Sequence, residues 1–250
     1  MRIAAISDVH GNYEALDKIL TDISNRNVDK VICCGDVVGY GPDPVQCIQT
    51  LRENNVITIQ GNHDLGVTGE ISPYGWRGEA VETWEMAKAL LKESEISWLK
   101  SHPMSIKVTK NILMVHGSPR QPVYEYMYDA NDGLSNIPFM SGRICFHGHS
   151  HIPGVIEFGP NITLGVNYFP RPNMKSPERV TIEESNKYFI NPGSVGQPRD
   201  GNPRSSYCIL DTDAHKVVFY RIPYNVEATK DRMWRYNYPS FLIERLTRGN

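Results

Sequence analysis

The chain begins with short apolar runs that alternate with longer amphipathic segments. The runs predict β-strands, because a few apolar residues between turn signals fit a buried strand. The runs in the first 150 residues are Ile3–Ile6, Val31–Cys34, Val56–Ile59, Ile112–Val115 and Ile144–Phe146. Strands that alternate with helices predict a mainly parallel sheet with its active site at the carboxyl ends of the strands.

The amphipathic segments between these runs predict helices. Asn12 fits an N-cap ahead of a helical stripe of apolar residues within 16–23. Asp43 followed by Pro44 fits the N-cap and first position of a second helix. A longer helical stretch is expected at about Glu79–Lys100. Its expected core side chains are Trp84, Ala87, Leu91, Trp98 and Leu99.

The pattern changes after Pro153, where short apolar runs with turns between them predict antiparallel strands. These runs are Val155–Ile156, Ile162–Leu164, Tyr188–Ile190, Tyr207–Leu210 and Val217–Tyr220. Residues 167–186 are polar and rich in proline and charge, which predicts a surface excursion. The segment at about 225–248 is expected to be helical, with an interruption at Pro239.

Together these elements predict an α/β fold in which two mixed β-sheets pack on each other with helices outside, a four-layer α/β/β/α sandwich. A chain of 250 residues lies near the upper limit for one compact domain. We therefore expect a single domain over residues 1–250, with a helical insertion at about 66–111 and a C-terminal helical segment at about 225–248.

Composition excludes several classes of partner. A net charge of -2 gives no basic field for duplex nucleic acid, so a phosphate enzyme would need local positive charge such as bound metal. No apolar run approaches the roughly 20 residues that span a bilayer. The five cysteines form no CxxC pair, and the chain opens directly into a strand. We therefore expect reduced thiols and a soluble, cytoplasmic protein without a membrane partner.

Metal-capable side chains come directly after the predicted parallel strands. In chain order they are Asp8 and His10, Asp36, Asn62 and His63, His116, and then His149 and His151. Because these strand ends meet at one edge, we expect one site. Turn-capping explains any single residue, but it does not require six of the eight histidines to cluster in this way. The other two, His102 and His215, lie outside the pattern.

These blocks resemble the calcineurin-like metallophosphoesterase superfamily. The matching blocks, within residues 3–151, are Asp8-Val9-His10, Gly35-Asp36, Gly61-Asn62-His63-Asp64, Val115-His116-Gly117 and Gly148-His149-Ser150-His151. Asn191–Arg199 resembles a block of the small prokaryotic members, the YfcE-like phosphodiesterases, and extends the likeness to about residue 210.

The resemblance implies two divalent transition metal ions, with Mn favoured among Mn, Fe, Zn, Co and Ni. It implies one ion held by Asp8, His10, Asp36 and His151, and another held by Asp36, Asn62, His116 and His149. It also implies hydrolysis of phosphodiesters or nucleotide-type phosphate esters. A hydroxide between the metals would attack phosphorus, and the unligated His63 would act as general acid toward the leaving oxygen.

One block departs from the pattern of the protein phosphatases in this superfamily. They orient the catalytic histidine with an acid in a GDxVDRG motif, whereas this chain has Gly39 and Tyr40 in place of the acid and the arginine. This argues against a Ser/Thr protein phosphatase. It also leaves His63 in need of another partner, for which Asp64 and a backbone carbonyl are the candidates.

Further residues are candidates for substrate contact. Arg120 and Arg199 fit a bidentate phosphate clamp, with a structural role as the alternative. Asn191 and Ser194 are expected to shape a loop beside the site. Tyrosines alternate along one extended segment at positions 124, 126 and 128, where core or interface packing is favoured over stacking on a nucleobase.

Other functions remain open at this point. A phosphomonoesterase or a dinucleoside polyphosphate hydrolase is the alternative enzyme. A non-catalytic scaffold on the same fold is disfavoured, because the ligand positions and His63 are all present. The expected partner is a small phosphate ester, nucleotides included, and a homo-oligomer is left open.

Overall fold

The chain folds into two six-stranded mixed sheets with helices outside both. The computed structural model describes residues 1–72, 75–76, 78–161, 165–168 and 177–250, and for 165–168 it describes the backbone alone. The α/β architecture of two mixed sheets with flanking helices confirms the predicted fold class.

Strands and helices alternate through the first half. The strands are β1 (Arg2–Ile6), β2 (Lys30–Cys33), β3 (Ile57–Thr58), β4 (Ser105–Thr109), β5 (Ile112–Val115), β6 (Ile144–Phe146), β7 (Gly154–Phe158), β8 (Gly165–Tyr168), β9 (Glu178–Thr181), β10 (Lys187–Asn191), β11 (Ser205–Asp211) and β12 (Lys216–Ile222). The helices are α1 (Tyr13–Ser24), α2 (Pro44–Glu53), α3 (Asn62–Thr68), α4 (Gly78–Leu90), α5 (Glu93–Lys100), α6 (Ala130–Asn136), α7 (Val226–Arg235) and α8 (Ser240–Arg248), with a 3₁₀ turn at Ile137–Phe139.

The parallel strands are divided between the two sheets. The first sheet has the order β3-β2-β1-β11-β12-β9, in which β1, β2 and β3 are parallel. The second has the order β4-β5-β6-β10-β7-β8, in which β5, β6 and β10 are parallel. The remaining pairs are antiparallel, as the pattern after Pro153 predicted for most of that region. The carboxyl ends of β1, β2 and β3 therefore lie at one edge.

The two-residue period of the strands separates the core layers. In β1, Ile3 and Ala5 face the second sheet, whereas Ala4 and Ile6 face the helices. In β6, Phe146 lies between the sheets and Cys145 packs on the opposite face beside α6. Each sheet thus has one face against the other sheet and one face against helices.

The C-terminal segment forms two helices that pack against the first ones. Arg232 of α7 pairs with Glu14 of α1 and with Asp43, the residue before α2. Asp43 makes no side-chain cap bond to α2, so its carboxylate serves this ion pair instead of the predicted cap. No helix in the described ranges is long and apolar enough to cross a membrane.

Two local predictions were wrong. The expected helical stretch Glu79–Lys100 is two helices, because Glu95 accepts a hydrogen bond from the backbone of Lys92 and starts α5 there. Trp98 is half-buried, and it packs both against the edge of the core and on the ring of His102.

The expected excursion at residues 167–186 contains an edge strand, β9. Its polar composition reflects the edge position, where one side of the strand pairs with β12 and the other has no strand partner in the described chain. The strand predicted at Ile162–Leu164 lies outside the described residues.

Candidate metal centre

The loops after the strands adopt strained backbone conformations. Five of the seven candidate ligands have a positive φ, between 47° and 66°. They are Asp8, His10, Asp36, His149 and His151. Residues other than glycine rarely adopt this left-handed backbone conformation, and those that do cluster at functional sites. The backbone therefore turns sharply at each of these strand ends and directs the side chains to one place.

Asp36 lies between two groups of histidines. Its Oδ1 atom accepts the backbone N–H of His63 at 2.9 Å. Its Oδ2 atom lies 3.6 Å from Nε2 of His10 and 3.3 Å from Nε2 of His116. One carboxylate oxygen thus faces ring nitrogens of both groups, the arrangement expected of a bridging ligand.

The first group contains Asp8, His10 and His151, all buried. Nε2 of His10 lies 3.1 Å from Nε2 of His151, which lies 3.4 Å from Oδ1 of Asp8. Ligands that each lie about 2.1 Å from one ion are themselves roughly 3–3.5 Å apart. In addition, Oδ2 of Asp8 is buried with no hydrogen-bond partner among the described residues. An oxygen in that state fits a bound cation.

The second group contains Asp36, His116 and His149, and Asn62 joins it. Nε2 of His116 lies 2.9 Å from Oδ1 of Asn62 and 3.2 Å from Nδ1 of His149. All four side chains are buried. The structure thus brings together all seven residues that the sequence singled out as metal ligands.

The other ring nitrogen of each candidate histidine ligand points to a backbone carbonyl. The pairs are His10 with Val38 at 3.1 Å, His116 with Cys34 at 2.8 Å, His149 with Tyr124 at 3.2 Å and His151 with Gln197 at 2.5 Å. A carbonyl only accepts, so each outer nitrogen carries the hydrogen, and in the neutral ring each inner nitrogen presents a lone pair. The residues therefore fit divalent metal ions with nitrogen and oxygen ligands.

Burial and charge set the ionisation of these groups. Burial lowers the pKa of His10, His149 and His151, which favours the neutral ring that a metal requires, whereas the neighbouring Asp36 outweighs burial and raises the pKa of His116 to about 9. Burial alone would raise the pKa of Asp36, but the neighbouring His116 and His63 outweigh it and lower that pKa. The shared aspartate is therefore an anion at neutral pH.

His63 has a different partner from those expected. The indole N–H of Trp84 donates to its Nδ1 at 2.9 Å, and both residues are 3% exposed. The Asp64 carboxylate instead accepts the backbone N–H groups of Val37, Val38 and Gly61. Trp84 was predicted only as a core side chain, because it lies on a helix 21 residues further along the chain than His63.

The two candidate arginines have different surroundings. Arg199 lies with its guanidinium 5.7 Å from the ring centre of Tyr40, which in turn packs against His10 and His63. Its Nε is buried and has no hydrogen-bond partner within the described ranges. Arg120 pairs with Glu125, and this contact lowers the pKa of Glu125 to about 2. Arg199 is thus the better placed of the two to meet an anion.

The three alternating tyrosines are exposed rather than packed in the core. Tyr124, Tyr126 and Tyr128 are 50%, 41% and 48% exposed. The ring of Tyr126 stacks on His149 at 3.8 Å and is parallel to that of Tyr128 at 5.4 Å. Core packing was therefore the wrong expectation for this segment, which extends a row of aromatic rings outward from the site.

Polar side chains hold the loop that carries His149 and His151. Asn191 donates to the carbonyl of Gly148 at 2.8 Å and to the hydroxyl of Ser150 at 2.9 Å. Ser194 donates to the carbonyl of Asp8 at 2.8 Å. His147 is buried beside Asn191, but it belongs to none of the three metal-capable groups found in the described residues. It accounts for the sixth clustered histidine.

Two histidine groups that share one aspartate, set on strand ends of a four-layer sandwich, define the class of metallophosphoesterases. The chain belongs to the calcineurin-like phosphoesterase superfamily, whose domain profile matches residues 1–215.

Similar proteins cover the whole chain. The uncharacterised protein MJ0912 of Methanocaldococcus jannaschii is 36% identical over 99% of this chain and 98% of its own length. The crystal structure of a metallophosphoesterase from Sphaerobacter thermophilus is also 36% identical, with a TM-score of 0.88 over 100% of this chain and 99% of that one.

More distant relatives have named activities. The phosphodiesterase YfcE of Escherichia coli K12 is 21% identical over 87% of this chain and 91% of its own length. The symmetrical bis(5'-nucleosyl)-tetraphosphatase of Erwinia tasmaniensis is 28% identical over 44% of this chain and 42% of its own length.

Proposed function

We propose that this protein hydrolyses small phosphodiesters and nucleotide-type phosphate esters, using two divalent transition metal ions. The observation that carries the proposal is the position of Asp36, whose Oδ2 atom faces His10 of one group and His116 of the other. The histidines of both groups are held with lone pairs inward, as metal ligands require.

Each residue has a proposed role. Asp8, His10 and His151 hold one ion, and Asn62, His116 and His149 hold the other, with Asp36 shared. Bound ions supply positive charge for the phosphoryl group and an activated water. Nitrogen and oxygen ligands without thiolate suit Mn, Fe, Zn, Co or Ni, and among these we favour Mn.

Two side chains that are not ligands complete the proposed site. His63 donates a hydrogen bond from Nε2 to the leaving oxygen. Arg199, whose buried Nε has no hydrogen-bond partner in the described part of the chain, pairs with a non-bridging phosphate oxygen.

The substrate class rests on the relatives and on the aromatic surface. The named relatives are a phosphodiesterase and a dinucleoside tetraphosphatase. The exposed rings of Tyr126 and Tyr128 beside His149 offer a flat surface on which a nucleobase stacks. This favours nucleotide substrates, and a dinucleoside polyphosphate hydrolase is the second candidate for the same reason.

We also propose a cytoplasmic location. All five cysteines are buried and free, which suits a reducing compartment. Cell fractionation of the producing organism tests this directly.

A matrix of metals against substrates tests the proposed function. Mn, Co, Ni, Zn and Fe are each supplied with p-nitrophenyl phosphate, bis-p-nitrophenyl phosphate and diadenosine tetraphosphate. We expect hydrolysis with Mn, faster for the diester or the tetraphosphate than for the monoester. His63→Ala should lower kcat by about 10²–10⁴-fold while metal content is retained. Absence of hydrolysis with every metal would refute the enzyme assignment.

A further inference from the structure

His63 differs from the four candidate histidine ligands in the hydrogen bond of its outer ring nitrogen, the one that points away from the metal centre. In the ligands the outer ring nitrogen faces a backbone carbonyl, which accepts. In His63 the outer nitrogen, Nδ1, faces the indole N–H of Trp84, which only donates. The two kinds of partner impose opposite tautomers on the rings.

The hydrogen of the neutral His63 ring must therefore be on Nε2. Nδ1 accepts from the indole at 2.9 Å and needs its lone pair for that bond. The His63 ring stands edge-on to His10 with centres 4.8 Å apart. His63 thus presents an N–H to the metal centre, where the ligands present lone pairs. A neutral ring in this tautomer has no lone pair on Nε2 for a metal ion.

Two glycines make room for this arrangement. A β-carbon at Gly39 would lie 2.3 Å from Nδ1 of His63. Gly39 stands where the superfamily's protein phosphatases have the acid that orients this histidine, so an acidic side chain there would meet the ring. A β-carbon at Gly66 would lie 2.2 to 2.4 Å from three atoms of the Trp84 ring. Glycine at position 39 leaves room for the His63 ring, and glycine at position 66 leaves room for the indole.

We propose that Trp84 is a positioning residue that holds His63 in the tautomer with hydrogen on Nε2, in place of a carboxylate. His63 then acts as a fixed hydrogen-bond donor to the leaving oxygen. A carboxylate partner would accept from Nδ1 and leave Nε2 of the neutral ring with a lone pair. This proposal rests on the proposed phosphoesterase function for its kinetic consequence, but not for the tautomer itself.

The consequence concerns the leaving group. A more basic leaving oxygen carries more charge as its bond to phosphorus breaks, so it depends more on the donor at Nε2. Loss of the indole should therefore harm reactions with basic leaving groups more than reactions with p-nitrophenolate. If Trp84 had a purely structural role, its loss would lower the rates of both kinds of reaction to the same extent.

The tautomer is measured by ¹⁵N spectra of histidine-labelled full-length protein, metal-free and after addition of diamagnetic zinc. The shifts of the two ring nitrogens distinguish the tautomers. We expect Nε2–H for His63 in the wild type and a loss of this preference in Trp84→Phe, which keeps a ring but has no donor. Trp76→Phe is the matched control, since the Trp76 ring also contacts His63, with centres 5.3 Å apart. It should retain the wild-type tautomer. Hydrogen on Nδ1 in the wild type would overturn the proposal, whether or not Trp84→Phe folds.

Kinetics on the metal-loaded protein complete the test, with bis-p-nitrophenyl phosphate compared with diphenyl phosphate. In Trp84→Phe we expect kcat for diphenyl phosphate to fall about tenfold further than kcat for the nitrophenyl ester, with KM little changed. Trp76→Phe should keep the wild-type ratio. An equal loss on both substrates would overturn the kinetic part of the proposal. If the wild type hydrolyses neither ester with any metal, the proposed function fails, and the spectra still decide the tautomer.

Discussion

At the scale of single residues, short side chains reach the centre because the backbone turns sharply behind them. Asp8 and Asp36 have only one methylene, so the carboxylate follows the main chain closely. Their positive φ values of 53° and 54° place the carboxylates inward directly after strands β1 and β2. Strain of this kind costs about 1–3 kcal/mol per residue and persists where the surroundings enforce it.

Gly66→Ala tests the space that the Trp84 ring needs. The added β-carbon would lie 2.2 Å from the ring, so the indole or helix α3 must shift. We expect a loss of about 1–3 kcal/mol in the free energy of unfolding, measured by urea titration. Gly78→Ala is the control, because its β-carbon meets nothing within 4 Å, and it should not lower stability. Equal effects of the two changes would contradict this account of Gly66.

Arg199→Ala and Arg120→Ala separate the two candidate arginines. Arg199→Ala should raise KM for phosphodiesters about tenfold, since a charge-assisted hydrogen bond is lost. Arg120→Ala should leave KM unchanged and raise the pKa of Glu125 from about 2 toward its usual 4.5, because its partner is removed. The lowered pKa of Glu125 stabilises the fold above pH 4.5, and this stabilisation is lost as pH falls toward 2. Arg120→Ala should therefore lose less stability than the wild type over this acid range. A raised KM in Arg120→Ala would contradict the assignment.

At the scale of secondary-structure elements, Asn12 connects α1 to the end of the chain. Its Oδ1 atom caps α1 by accepting from Ala15 N at 3.2 Å, and it also accepts from Thr229 of α7 at 3.1 Å. Its amide donates to the carbonyl of Gly196 at 2.9 Å. One buried side chain thus joins the loop after β1, the loop near Arg199 and the C-terminal helices.

Asn12→Ala should therefore lower the stability of the fold by more than the loss of a helix N-cap alone would. Asn225 caps α7 with the same 3.2 Å bond, to Ala228 N, at an exposed position, which makes Asn225→Ala a matched control. We expect the free energy of unfolding to fall by about 1 kcal/mol in the control. It should fall by about 2–3 kcal/mol in Asn12→Ala, because the buried partners of Asn12 also lose their hydrogen bonds. Chemical denaturation of both variants measures the difference, and equal values would show that the buried contacts add nothing.

The C-terminal helices also support the loop that carries Asp36. The hydroxyl of Tyr238, which precedes α8, donates to the carbonyl of Gly41 at 3.0 Å. Tyr40 packs on the cluster of Met233, Leu242 and Ile243. These helices lie beyond residue 215, where the match to the family profile ends, so they support the site from outside the matched part of the chain.

At the scale of the whole molecule, the sequence predicted the features that follow from strand ends. Apolar runs of three or four residues located β1, β2, β3, β5 and β6, and the polar residues after them included every candidate ligand. The contact of Trp84 with His63 could not be predicted, since it depends on how α4 packs on α3. β9 could not be predicted either, because edge strands tolerate the charged residues that usually indicate a loop.

Metal binding should stabilise the whole fold. Buried Asp8 and Asp36 lie close to each other, and burial raises the pKa of Asp8 to about 7. A bound cation relieves the cost of burying two carboxylates, and an ion at 100 times its Kd adds about 2.7 kcal/mol. We expect Mn to raise Tm and EDTA to lower it, by differential scanning calorimetry. A Tm independent of both would contradict a resident metal.

Anomalous diffraction from crystals soaked in manganese tests the central claim most directly. The account predicts two anomalous peaks per chain, one among Asp8, His10 and His151 and one among Asn62, His116 and His149, with Asp36 between them. Peaks elsewhere on the chain, or none at saturating manganese, would contradict it.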